Sequence, residues 1–373
     1  MRILYRSEMY PPSVGGMPSY VASVARGLAG RGHEVTVLTP RQDRRSPRRQ
    51  ASGGLVIEYT PGFGESPAGL VAGVMAALPR ALTAARGMDI LHTHAVLAAP
   101  PLLLASRVHR RPHVITVHTA RILRLARTLW ARPMLRYFLS SARHVFVVSR
   151  ELEAAVRELV PRQSLSLLSP GVDTRLFAPT ARPAREVPLL LCPRRLVRRN
   201  GVIFLLKAMP RILAQRRVEL EICGGGPERE RLEREARRLE LGGAVRFSGV
   251  RAPEEMPRVI ASADLVVIPS LIETTSAAAL EAMASGVPVA ASRVGALPDI
   301  VSPETGILFD PGNPDDLAEK VLELLAAPDL PERGRLARRR VEERWNLDGL
   351  LDAHLEVYQR VVGGSHATGS PRG

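Results

Sequence analysis

Residues 1–40 read MRILYRSEMYPPSVGGMPSYVASVARGLAGRGHEVTVLTP, and their order decides the architecture. Residues 3–5 form a short apolar run of strand type. A loop rich in proline and glycine follows: Tyr10, Pro11, Pro12, Ser13, Val14, Gly15, Gly16. Over residues 18–29 the apolar side chains Tyr20, Val21, Val24 and Leu28 fall at helical spacing. Gly30 and Gly32 end that helix, and residues 35–38 make the next strand. Strand, helix and strand within forty residues make a βαβ unit, which implies a parallel sheet covered by helices.

The alternation continues outward from there. Residues 89–92, 114–117 and 144–148 read as strands with helical stretches between them. At 170–188 periodicity is lost among Pro, Arg and Gly, which predicts an interdomain linker. A second series then begins. Residues 189–192, 218–223, 245–247, 265–268 and 287–290 are predicted strands; 202–213, 228–240 and 277–284 are predicted helices. Two α/β halves of similar size predict a ligand cleft beyond the carboxyl ends of the strands.

Composition narrows the function. With 373 residues, 45% hydrophobic and 24% charged, the chain is an ordinary globular protein of about two domains. Aromatic residues are only 4%, against a binder that stacks single-stranded nucleic acid, and no nucleic-acid partner is expected. Cys192 and Cys223 are the only cysteines, which excludes a disulfide scaffold and fits a reducing compartment. The net charge of +15 is uneven: residues 1–180 carry 24 basic against 10 acidic side chains, the remainder 28 against 27. The basic half favours an anionic partner, although 50 of the 52 basic residues are arginine, a bias that coding composition also produces. The longest apolar stretch, 68–78, is about half the ~20 residues a bilayer requires and reads as a core helix. The expected location is cytoplasmic, with peripheral association at the inner face of the cell membrane as an option.

The chemistry concentrates in residues 269–288, PSLIETTSAAALEAMASGVP. Glu273 and Glu281 lie eight positions apart, and Thr274, Thr275 and Ser276 are N-cap candidates for the helix from Ala277. A helix start offers free N–H groups and a positive dipole end, a seat for a diphosphate. One carboxylate then reaches each side of that seat, which suits a ligand built as sugar, diphosphate and ribose.

These residues resemble a retaining glycosyltransferase of family GT4, with the two-Rossmann-domain GT-B fold, over nearly the whole chain. Residues 10–16 match the N-terminal glycine loop, residues 89–94 (Asp-Ile-Leu-His-Thr-His) the strand ending in His-x-His, and residues 116–119 (Thr-Val-His-Thr) the segment with an active-site histidine. Gly171-Val172-Asp173 with Phe177 is similar to the segment leading into the linker. Arg195-Leu196-Val197 with Gly201 resembles the Arg-Leu-Val-x-x-Lys-Gly clamp, and Glu273 with Glu281 the Glu-x7-Glu signature.

The resemblance implies an N-terminal acceptor domain (1–180), a nucleotide-sugar domain (181–340), a helix at 341–362 that packs back on the first domain, and a loose tail at 363–373. It implies catalytic roles for His118, Arg195 and Glu273. Donor binding falls to Gly15, Gly16, Arg195, Asn200, Gly249, Thr275, Ser276, Ala277 and Glu281, and acceptor binding to Tyr10, His92 and His94. No cofactor and no metal are expected; the donor is a nucleoside-diphosphate sugar, and the acceptor a hydroxyl, with a lipid-linked or cell-envelope glycan among the options. The chain departs from the pattern at Asn200, where the family has lysine, and at 274–276, where Gly-Phe-Gly is common; these departures leave a catalytically impaired nucleotide-sugar-binding protein as an alternative, and the basic half a membrane or nucleic-acid adaptor.

Residues 121–143 contain six arginines (121, 124, 127, 132, 136, 143), no acid, and interleaved Leu, Ile, Trp, Tyr and Phe. The pattern fits a basic amphipathic helix on an anionic membrane surface; a helix buried on one face, with arginines in water, fits it equally.

Overall fold

A computed structural model describes residues 1–13, 15–42, 47–63, 66–118, 121–181 and 185–366. Val14, Thr119, part of the expected linker (182–184) and the end of the expected tail (367–373) lie outside the described residues. The chain divides into two compact units: Met1–Pro170 with Leu347–Gly373, and Gly171–Asn346.

The first unit is built on β1 (Arg2–Ser7), β2 (Glu34–Pro40), β3 (Arg49–Ser52), β4 (Leu55–Thr60), β5 (Ile90–His94), β6 (His113–Val117), β7 (His144–Val147) and β8 (Leu165–Leu167). Its helices include α1 (Gly16–Gly30), α2 (Pro67–Ala84), α3 (Ala99–His109), α4 (Arg121–Ala126), α5 (Ala131–Ser141) and α6 (Arg150–Leu159). Among the described residues the sheet runs β3-β4-β2-β1-β5-β6-β7-β8. Every pairing is parallel except the β3/β4 hairpin, whose exposed polar strand Arg49–Ser52 closes the edge. The central strands are buried throughout, as parallel strands covered on both faces must be. The short hairpin escaped the sequence reading because β3 carries no apolar face.

The second unit contains β9 (Leu189–Pro193), β10 (Glu219–Cys223), β11 (Val245–Gly249), β12 (Leu265–Ile268), β13 (Val289–Ser292) and β14 (Gly306–Phe309). Its helices are α7 (Val202–Gln215), α8 (Arg229–Arg238), α9 (Met256–Ala261), α10 (Ala277–Ala284), α11 (Leu297–Ile300), α12 (Pro314–Ala326) and α13 (Leu330–Arg344). The sheet order is β11-β10-β9-β12-β13-β14, all parallel, among the described residues. The unit begins at Gly171, ten residues before the expected boundary. Val172 bridges Asn346 and donates its N–H to the Trp345 carbonyl, and Phe177 packs in this unit's core.

The last helix, α14 (Leu347–His366), belongs to the first unit. It packs on α1: a Cβ added at Gly27 would stand 2.6 Å from Leu351 Cδ1. Arg31 pairs with Asp348 and Asp352, and the Tyr358 hydroxyl lies 2.9 Å from that of Tyr5.

Each sheet has one place where the chain reverses its direction of travel. In the first unit β1 lies between β2 and β5; in the second β9 lies between β10 and β12. Loops leaving neighbouring strands there turn to opposite faces and leave a crevice beyond the carboxyl ends.

Candidate active site

The switch point of the second unit collects the clamp segment and the first signature glutamate. Beyond β9 come Arg194 and Arg195; beyond β12 comes the loop to Glu273. Arg194 joins the two loops. Its Nη2 lies 2.6 Å from Glu273 Oε2, 2.7 Å from Ser270 Oγ and 3.1 Å from Asn200 Oδ1. Both charged partners are largely buried, at 11% and 13% side-chain exposure, where a carboxylate without a cation would be costly. Arg194 was missed by the sequence reading. It stands beside Arg195 in an arginine-rich stretch, and no periodicity separates the two.

Arg195, expected to meet the diphosphate, is exposed, and its guanidinium has no hydrogen bond or ion pair among the described residues. Its backbone is held firmly: Asn200 Nδ2 donates to the Arg195 carbonyl at 2.7 Å. Asn200 was expected to bind donor, but both ends of its amide are engaged inside the loop, between Arg194 and the Arg195 backbone. It organises the loop rather than offering a free group. The same loop rests on the glycine turn after β10. A Cβ at Gly224 would stand 2.0 Å from the Arg194 carbonyl oxygen, and Leu196 N–H donates to the Gly225 carbonyl at 2.8 Å.

Downstream of Glu273, α10 begins at Ala277 as the sequence predicts. Ser276 caps it, its hydroxyl accepting from Ala279 N–H at 3.3 Å, and its side chain is buried. The hydroxyl expected to meet the donor thus serves as the cap, and Thr275 and Ala277 beside it at the helix start are half-buried. Glu281, a turn further on, is half-buried, and burial pushes its carboxyl up to about 7. Gly249 ends the edge strand β11, two strands from β9, and the next residue, Val250, stands against the glycine turn after β10, 2.8 Å from a Cβ built at Gly225.

The first unit's switch point brings together Gly15, Gly16, His94 and His118. Gly15 precedes α1 with φ 151°, a backbone state that strongly favours glycine, and a Cβ at Gly16 would meet nothing within 4 Å. β5 pairs with β6 so that His92 stands opposite Val114 and His94 opposite Thr116. Alternation puts His92 and His94 on one face, with Thr116 and His118 beside them. His94 Nδ1 lies 3.0 Å from His118 Nε2.

Two expected acceptor contacts are corrected. His92 is fully buried with both ring nitrogens engaged, Nδ1 by the Tyr358 hydroxyl at 2.5 Å and Nε2 by Thr116 Oγ1 at 2.6 Å. Tyr10 is buried in the core of the same unit. His92 thus has no ring nitrogen left for a ligand, and the Tyr10 hydroxyl is buried, without a hydrogen-bond partner among the described residues. Tyr358 comes from α14, more than 260 residues away in the chain, a partner no local pattern reveals.

The basic stretch 121–143 is two helices, not one. α4 and α5 are separated by a turn over 127–130, and α5 buries Ala131, Leu135 and Leu139. What faces out is the turn itself, with Leu129 and Trp130 at 86% and 73% exposure, flanked by exposed Arg124, Arg127 and Arg136. Among the described residues no helix is long and apolar enough to cross a membrane.

Two open, mainly parallel sheets, each with a switch point, and the matches that follow define the class: a glycosyltransferase of GT-B fold, an enzyme that transfers a sugar. Residues 14–176 match the description "Glycosyltransferase Family 4" and residues 177–340 "Glycosyl transferases group 1", and the chain belongs to this family. It is similar to the GDP-mannose-dependent alpha-(1-6)-phosphatidylinositol monomannoside mannosyltransferase of Mycobacterium tuberculosis, 30% identical across 94% of this chain and 96% of that protein. It is also similar to the MMP alpha-(1->4)-mannosyltransferase of Mycolicibacterium hassiacum, 28% identical across 97% of this chain and 98% of that one. Among solved structures, a sucrose-phosphate synthase from Thermosynechococcus elongatus superposes with a TM-score of 0.83 at 25% identity, covering 97% of this chain and 99% of its own.

Proposed function

We propose that the protein is a retaining glycosyltransferase that moves a sugar from a nucleoside-diphosphate sugar to a hydroxyl, without a metal ion. The observation that carries this reading is the arrangement beyond β9 and β12. Arg194 fixes Glu273, while Arg195 is held by its backbone and keeps its guanidinium free. A free guanidinium can bind two phosphate oxygens at once and neutralise the charge that develops as a diphosphate departs. Glu273 accepts from sugar hydroxyls through Oε1, since Oε2 is taken by Arg194 and Ser270. Glu281 accepts from the ribose hydroxyls. Within the first unit, the Gly15–Gly16 amides and His118 are the groups proposed to meet a ligand.

The acceptor attacks on the face from which the diphosphate leaves. Its oxygen bonds to the anomeric carbon as the bond from that carbon to the phosphate oxygen breaks, and its proton passes to that phosphate oxygen. The chain contributes position and charge. The GDP-mannose dependence named for the Mycobacterium tuberculosis relative supports a sugar-nucleotide donor. A thermal-shift screen of UDP-, GDP- and ADP-sugars, followed by product analysis in the presence of a chelator, is expected to find one stabilising donor and a product with its anomeric configuration kept. Stabilisation by none of them, or an inverted product, refutes the reading.

The acceptor is proposed to be lipid-linked, a cell-envelope glycan or its precursor, met at an anionic membrane surface. Support comes from the exposed Leu129–Trp130 turn within its arginines and from the lipid named in the mycobacterial relative. In flotation assays the protein is expected to rise with phosphatidylglycerol vesicles but not phosphatidylcholine, and Trp130→Ser to stay behind. Equal flotation with both lipids, or with neither, refutes it.

A further inference from the structure

The first unit holds four buried histidines in one group, His92, His94, His118 and His354. His118 alone of the four has exposed surface, 9%; the others have none. The rings of His92 and His94 stack at 4.1 Å and those of His94 and His118 at 5.3 Å, each pair 29° from parallel. Tyr5 stands edge-on to His94 at 4.6 Å and Tyr20 edge-on to His118 at 4.7 Å. Burial keeps the pair neutral, lowering His118 to about 3 and His94 well below its ordinary range.

Hydrogen positions in this group follow from what each partner can do. His354 Nδ1 lies 2.9 Å from the Leu350 carbonyl, which only accepts, so Nδ1 carries the hydrogen. His354 Nε2 therefore accepts from the Tyr20 hydroxyl at 3.2 Å, which anchors the ring that flanks His118. Between His94 Nδ1 and His118 Nε2, 3.0 Å apart, two neutral rings place one hydrogen. Were it carried by His118, His94 would hold its own hydrogen on Nε2, which is buried without a partner among the described residues. An orphaned buried donor is the rarer arrangement; a bare acceptor is the better tolerated one.

We propose that His94 is a positioning residue, whose Nδ1–H donates to His118 Nε2 and so fixes His118 as the Nδ1–H tautomer, a hydrogen-bond donor to a sugar or phosphate oxygen. The proposal rests on the reading of His118 as a substrate-facing residue and deepens it. In this tautomer His118 has no lone pair left for the acceptor's proton, which agrees with its transfer to the departing phosphate oxygen.

The test uses full-length protein labelled with ¹⁵N at histidine, with the His118 signals assigned by their loss in His118→Gln. Long-range ¹H–¹⁵N correlation near neutral pH is expected to show a protonated Nδ1 and a bare Nε2 at His118. His94→Phe should release a mixture of tautomers, and His94→Asn, whose amide N–H stands near the lost Nδ1–H, should restore the single form. A protonated Nε2 at His118 in the wild type overturns the proposal, and this reading needs no variant of His94 to fold. With GDP-mannose and UDP-glucose as probes, His94→Phe is expected to lower kcat about tenfold while KM moves less than about twofold, and His94→Asn to recover most of that loss. Equal losses in both variants would mark a packing role and overturn the proposal. Turnover of neither probe by the wild type would count against GDP-mannose and UDP-glucose as donors alone, since the tautomer is decided by the spectrum.

Discussion

Replacing Arg195 by methionine is expected to lower kcat by about 10²–10³-fold, the range seen when one stabiliser of developing negative charge is removed. The melting temperature should not move, because the side chain is exposed and makes no contact among the described residues that folding depends on. Arg198→Met is the matched control. Arg198 is exposed in the same loop, yet it follows the segment held by Asn200, and its loss should change kcat by no more than about twofold. Steady-state kinetics on the donor found by the screen will decide. If the two variants lose activity alike, general basicity of the loop explains the result; if Arg195→Met is as fast as wild type, its diphosphate role is wrong.

Gly295→Ala should damage the site without touching a charged residue. Gly295 has φ 54°, and a Cβ there would stand 1.6 Å from the Glu273 carbonyl oxygen. That oxygen belongs to backbone, so the loop carrying Glu273 must shift. Strain of this kind costs about 1–3 kcal/mol, which should appear as a lower denaturation midpoint. The displaced carboxylate should also cost about 10²-fold in kcat/KM, the penalty for misplacement near 1 Å. Full activity with unchanged stability would show that the Glu273 loop has no fixed position to lose.

Much of this was legible in the sequence, for physical reasons that also mark the boundary. The βαβ order follows from periodicity, and α10 starts where the cap at Ser276 places it. Glycines at 15 and 16 and the Glu273/Glu281 spacing are local features, and the structure sets Gly15, Gly16 and Glu273 beyond the strands expected to carry them. What escaped depends on distant partners. His92 reads as a ligand-facing residue until Tyr358 arrives from the other end of the chain, and Asn200 reads as a lost charge until Arg194 is seen beside it. The break between α4 and α5 escaped as well, since a basic stretch free of acids looks amphipathic whether or not it turns.

The path of the chain carries a consequence for biogenesis. Residues 171–346 form an uninterrupted unit, whole as soon as they have left the ribosome. The unit begun first must wait for α14, because Tyr358 completes Tyr5 and His92 while His354 completes Tyr20. Nascent domains commonly mature in the order they are made. Here the order is reversed: of these two units the one translated first is finished second, and its histidine column is set only once residues 347–366 have been made.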